Sequence, residues 1–232
     1  MKKLTAFAAC FALALAVIAG VVHVYGNNSV LTPIYTNTEP VVLGTPTPVH
    51  IPKGIAYVTF VREYDLGEAY EEAPLVAEIV ITDWLNESDE STFFSAKLIN
   101  VYKDEIGVRE KYPDNDIVFV QHGTSEFIYD DFPIYEVGTR LFVCLRYLVD
   151  EETPDGKYTE SFVPVGEILT ELELVEYEGS TYAIRSNKYQ NFGDVGSSVD
   201  LEDSDPDDKN MVVLTMDDVL SYLYKVEHSM NP

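Results

Sequence analysis

A charged pair, Lys2 and Lys3, opens the chain and gives way to a nearly unbroken apolar run from Leu4 to Tyr25, in which only Cys10, His23 and Tyr25 can titrate. This is the pattern of an export segment, and its length approaches the ~20 residues that cross a bilayer. Residues 1–26 fit both a cleaved signal peptide and a retained transmembrane anchor. Val24-Tyr25-Gly26 and Val17-Ile18-Ala19 offer cleavage sites, while the length of the run favours retention. A lipobox at Phe7-Ala8-Ala9-Cys10 is a third reading, although little apolar sequence precedes the cysteine. All three hold the lysines in the cytoplasm and, with Glu39 the first charge downstream, place the remainder outside the membrane. Membrane contact is then expected through residues 4–25 alone.

Residues 27–54 carry Pro33, Pro40, Pro46, Pro48 and Pro52 among Thr, Asn and Val, with no apolar period, which predicts a Pro/Thr-rich extended linker. From Ile55 the pattern becomes short β-branched and aromatic runs between turn formers. Strands are expected at 55–62, 75–84, 91–102, 116–122, 139–148, 158–165, 171–178 and 181–186, the last two joined as a hairpin at Glu178-Gly179-Ser180. Asp65-Leu66-Gly67-Glu68 reads as a capping box for one short helical turn that Pro74 ends. Residues 186–210 predict an exposed acidic loop. Thr215 then caps a helix over about 216–226, with Asp217 and Asp218 in its first turn and Met216, Val219, Leu220, Leu223 and Val226 on one apolar face that should pack on the strands. The fold class that follows is mainly β: an OB-like antiparallel β-barrel over residues 55–232, with a short helical turn and one C-terminal helix. Closure would remove the unpaired edges that an extracellular sheet exposes.

Charge narrows the partners. The 232 residues hold 15 Lys and Arg against 40 Asp and Glu, a net −25. Without residues 1–26 the two lysines go, 13 face 40, and the balance is −27. No stretch concentrates enough basic side chains to displace phosphate counterions, which excludes nucleic acid as a partner. After loss of residues 1–26 the only cysteine is Cys144, so no internal disulfide forms, and Leu141-Phe142-Val143-Cys144-Leu145 reads as a buried strand in which the thiol is a small hydrophobe.

Four segments together carry a resemblance: Ala73-Pro74-Leu75-Val76-Ala77-Glu78-Ile79-Val80; Thr92 to Lys103, ending Ile99-Asn100-Val101-Tyr102-Lys103; Asp116-Ile117-Val118-Phe119-Val120-Gln121-His122-Gly123; and Val137-Gly138-Thr139-Arg140-Leu141-Phe142-Val143-Cys144-Leu145. They resemble a family of uncharacterised exported proteins of Gram-positive bacteria whose domain is similar to the OB-type barrel of tissue inhibitors of metalloproteinases. The likeness spans roughly residues 73–185. The chain departs from it at Ile79, where the family often has glycine, and at Lys103-Asp104, where it often has Lys-Gly. The inhibitors ligate a protease zinc through an N-terminal cysteine, which this domain lacks, so the resemblance implies a fold and no inhibitory site.

Candidate chemistry is sparse. Asp203-Ser204-Asp205-Pro206-Asp207 alternates like a calcium loop, yet the EF-hand positions for glycine and Glu fall on Asp208 and Leu214, so Asp203, Asp205 and Asp207 are weak calcium candidates beside the plain reading of a solvated acidic loop. No other cofactor is expected. His122, Ser125 and Asp130 compose a hydrolytic triad on paper, without a G-x-S-x-G elbow. The histidines form no H-x-x-x-H pair, and Gly193-Asp194-Val195-Gly196-Ser197-Ser198 lacks the lysine of a phosphate loop. More informative is Phe127-Ile128-Tyr129-Asp130-Asp131-Phe132, where Phe127, Tyr129 and Phe132 either stack on a ligand or fold over the barrel end with their rings buried. The reading that follows is an extracytoplasmic binding or interaction module, cell-surface or secreted, for a neutral glycan, a cationic peptide or a protein. An exported hydrolase and a structural spacer of the envelope are the alternatives.

Overall fold

The computed structural model describes residues 29–48, 54–56, 64–129, 132–148, 160–166, 170–185 and 212–229. The export segment, most of the strand expected at 55–62, and the acidic loop 186–210 with Asp203, Asp205 and Asp207 lie outside these. In chain order the elements are β1 (Tyr35–Thr36), β2 (Gly54–Ala56), α1 (Leu66–Glu72), β3 (Leu75–Glu87), β4 (Ser91–Asp104), α2 (Val108–Lys111), β5 (Asp116–His122), β6 (Phe127–Tyr129), β7 (Arg140–Leu148), β8 (Ser161–Pro164), β9 (Leu172–Tyr177), β10 (Ser180–Arg185), β11 (Val212–Thr215) and α3 (Met216–Ser229).

The fold is mainly β and is built on a closed five-stranded barrel. β3 pairs β4, β4 pairs β5, β5 pairs β8, β8 pairs β7, and β7 returns to β3. In barrel order this is first, second, third, fifth, fourth, first, with the third and fifth strands parallel, the Greek-key connectivity of an OB barrel. The expected OB-like barrel is thus formed, all of its pairs antiparallel except β5–β8. Of the other expected strands, β9 and β10 leave the barrel wall instead of closing it. β7 gives one edge to β3 and divides the other between β8 and β9, so β9, β10 and β11 extend the sheet outward. β3 shifts register against β4 at four places, and such bulges give a strand the curvature that closure of a small barrel demands.

The apolar runs of β3 and β7 are nearly continuous because both of their faces are buried. Leu75, Ala77, Ile79, Ile81, Leu141, Val143 and Leu145 point into the barrel with Phe94, Leu98, Phe119 and Phe162. Val76, Phe142 and Cys144 point the other way, into a second core against α1 and α3. α1 starts where the sequence indicates: Asp65 accepts from the Glu68 N–H at 2.7 Å and Glu68 reaches back to the Asp65 N–H, a complete capping box. Thr215 caps α3 by accepting from the Asp218 N–H at 3.2 Å, and Met216, Val219, Leu220 and Leu223 are its buried face. That face packs on α1, β10 and β11 and shares one core with Val76, Phe142 and Cys144 on the outer surface of the barrel.

The described part of the expected linker is extended but not a free spacer. The Ile34 and Asn37 N–H groups donate to Val101 and Ile99 at 2.7 Å each, Gly44 donates to Thr82, and Leu31 is buried and donates to Leu220 on α3. Proline-rich sequence that makes no internal hydrogen bonds leaves its N–H groups available for the edge of β4. Residues 29–48 are thus tied by backbone hydrogen bonds to β3, β4 and α3.

Gly166, after β8, has a φ of 81°, and a Cβ placed there would lie 2.8 Å from the Tyr64 Cβ and 2.9 Å from the Thr170 Cγ2. A left-handed alanine costs about 1 to 2 kcal/mol before any clash is counted. Gly166→Ala is expected to destabilise by about 2 kcal/mol or more in chemical denaturation.

Candidate functional site

The polar cluster that opens to the surface sits on the outer face of the sheet, midway along β3. Glu78 alternates outward between Val76 and Val80, so a carboxylate occupies the centre of an apolar strand. Register supplies its partners. Asn100 of β4 stands directly opposite Glu78, and Arg140 of β7 is its diagonal neighbour, because Glu78 pairs with Phe142. Asn100 Nδ2 donates to Glu78 Oε2 at 2.6 Å. Arg140 donates to Glu78 Oε1 through Nε at 3.1 Å and again through its second terminal nitrogen, and its first terminal nitrogen reaches Glu176 of β9 at 2.7 Å. Thr181 Oγ1 donates to the same Glu176 oxygen at 2.8 Å, and this bond, ahead of Arg140, holds the Glu176 carboxyl below the usual range.

Glu78 is 5% exposed and Arg140 31%. Two charges so far from water are tolerable only when paired and hydrogen-bonded, and here every oxygen of Glu78 has a donor. Tyr102 lies two residues beyond Asn100 on the same face, its ring tilted on Phe142 at 5.6 Å. Burial, then the charge of Glu78, pushes its phenol up to about 12.

These groups floor a cleft of about 460 Å³. One wall is the tight β9–β10 turn, Gly179, Ser180 and Thr181, and the other is the start of α3 with Thr215, Met216, Asp217 and Leu220. The turn is possible because Glu178 and Gly179 both take positive φ, 50° and 81°, as a two-residue hairpin of primed type requires. The expected three-residue loop is thus one residue shorter, since Ser180 already pairs with Tyr177.

The aromatic segment is divided by the fold. Phe132 is 9% exposed and Tyr135 7%; both belong to the barrel core and meet edge to face at 5.5 Å. Gln121, fully buried at the end of β5, fixes them there: its amide Nε2 donates to the Pro133 carbonyl and its Oε1 accepts from the Tyr135 N–H, both at 2.9 Å. Tyr135 gives its hydroxyl to buried Glu171. Phe132 thus follows the second of the two expected alternatives, a ring buried at the barrel end. Phe127 is 47% exposed, and the side chain of Tyr129 lies outside the description. Among the described rings of the segment, Phe132 and Tyr135 fill the barrel end and Phe127 stands outside.

Of the triad on paper, Ser125 donates its hydroxyl to Glu87 at 2.8 Å, and its own N–H also goes to Glu87; Asp130 lies outside the described residues. Cys144 is buried, and burial pushes its thiol up to about 12, which suits a core residue and not a nucleophile.

The face formed by the second and third strands, where OB barrels usually receive ligands, is covered in part: Ser95, Lys97 and Asp116 line a cleft of about 220 Å³ on it with Thr82 and Asp83 of β3. Phe93 and Val120 point outward there yet are 9% and 2% exposed, clustered with Val163. Among the described residues no helix is long and apolar enough to cross a membrane. No family model, curated protein or solved structure matches the chain.

Proposed function

We propose that the chain is a binding or interaction module that works outside the cytoplasmic membrane, tethered there or released, and that its ligand sits in the cleft over Glu78. One observation carries the reading: a fully paired Glu78–Asn100–Arg140–Glu176 network under an open cleft of about 460 Å³, against about 220 Å³ for the cleft on the customary OB ligand face. Locked side chains beneath a concave surface are what orient a ligand with little ordering cost. They serve binding better than hydrolysis, because a general acid or base must have an oxygen facing substrate and both oxygens of Glu78 are taken. Lys2, Lys3 and the apolar run behind them support export, and the resemblance to exported Gram-positive proteins with OB-type barrels supports the same setting. The net charge of −25 disfavours polyanions and leaves neutral glycans, cationic peptides or a protein with a basic patch.

A thermal-shift screen of neutral oligosaccharides and basic peptides tests this. A ligand present at about 100 times its Kd stabilises by about 2.7 kcal/mol, a rise in melting temperature of about 5 to 10 °C. Turnover of a screened compound without any such rise would move the protein to the enzyme class.

A further inference from the structure

We infer that the cleft recognises a primary ammonium group, that of a lysine side chain in a basic peptide, with the Tyr102 hydroxyl, Asn100 Oδ1 and the Asp217 carboxylate as its acceptors. This rests on the binding reading above and names the ligand class. The Tyr102 side chain is the starting point. The residue is 7% exposed and lines the cleft, yet among the described residues its hydroxyl makes no hydrogen bond. A buried phenol is normally partnered, and one left open to a cleft is an unfilled position for a ligand atom. Burial, then the charge of Glu78, pushes this phenol up to about 12, so at physiological pH it is neutral and its oxygen both donates and accepts.

Asn100 adds a second acceptor: one of its Nδ2 hydrogens goes to Glu78, and its Oδ1 is left for the cleft. Asp217, exposed on the first turn of α3, adds a charged third. A lysine ammonium has three N–H donors and no acceptor, so each of these three acceptors can take one of its N–H bonds. Charge agrees. Arg140 is the one cation among the described residues lining the cleft, and Glu78 and Glu176 already share it. Asp217 therefore leaves a net negative cleft. Met216 and Leu220 line the wall beside Asp217 and offer apolar contact to the methylene stem, as amphipathic lysines require.

The test is titration calorimetry of the full chain with tetralysine blocked at both termini, at physiological ionic strength, beside the same peptide acetylated on every side chain. Wild-type protein should bind the first and not the second. Tyr102→Phe and Asp217→Asn should each weaken binding by about tenfold or more, since each removes a hydrogen bond to a charged group. Tyr102→Phe should melt with the wild type, because the lost hydroxyl had no partner within the fold. A triple Asp203→Asn, Asp205→Asn, Asp207→Asn variant should keep its affinity. If it weakens as much as Asp217→Asn, the attraction is diffuse and the inference fails. Absence of tetralysine binding, or equal binding of the acetylated peptide, also overturns it. A neutral oligosaccharide that binds wild type and is lost in Tyr102→Phe would overturn the ammonium while leaving the cleft as the ligand seat.

Discussion

Replacing Glu78 by Ala is expected to lower stability by about 3 kcal/mol, a fall in melting temperature of about 6 to 12 °C. The carboxylate is 5% exposed and receives Asn100 and two nitrogens of Arg140, so truncation strands a guanidinium and an amide beneath the cleft. The low end of the range for broken buried pairs applies because Arg140 is 31% exposed and keeps Glu176. The larger part of the cost is the unpaired partner and not the worth of the pair. Glu78→Met combined with Arg140→Met should therefore recover most of the loss, since it removes both charges and keeps their volume. Thermal and urea unfolding of the single and double variants check this. A double variant less stable than Glu78→Ala would show that the pair itself holds the strands together.

Phe132→Ala should cost about 3 kcal/mol and Phe127→Ala less than about 0.5 kcal/mol, although both rings stand in one aromatic segment. Phe132 fills the barrel end against Tyr135 and has no room to relax, while Phe127 is 47% exposed. Paired urea denaturation curves measure the difference. Comparable small losses at both positions would mean that the segment lies on the barrel without plugging it.

The barrel was legible in the sequence because its strands obey local rules. β4, β5 and β7 fall within two residues of their expected limits, since β-branched and aromatic runs between turn formers leave little choice of element. The capping box at Asp65 and Glu68 and the cap at Thr215 were legible for the same reason: one side chain meets one backbone group three residues away. β1 and β6 were not. Each is two or three residues long and exists only through its partner, β4 for Tyr35 and Thr36 and β2 for Phe127 to Tyr129, and pairing across such separations leaves no local pattern. The short reach of β8, Ser161–Pro164, likewise reflects where β7 offers an edge.

The cleft was the least legible part. Glu78, Asn100 and Arg140 are far apart in sequence, and only the register of β3 between β4 and β7 brings them together. One signal was present. A charged residue at the centre of Leu75 to Ile81 has to be paired or exposed, and in a strand covered on both faces exposure is not open to it. Phe127, Tyr129 and Phe132 drew attention as a contiguous aromatic group, but contiguity along a chain says nothing of which rings a fold consumes.

Backbone amide spectra of isotopically labelled full-length protein, recorded while a ligand from the thermal screen is added, test the placement of the site most directly. The account predicts that the largest shifts fall on Asn100, Tyr102, Gly179, Ser180, Thr181 and Asp217, with Phe127 and Val120 unmoved. Shifts centred on Phe127 and its neighbours, or on Phe93 and Val120, with the cleft residues silent, would contradict it.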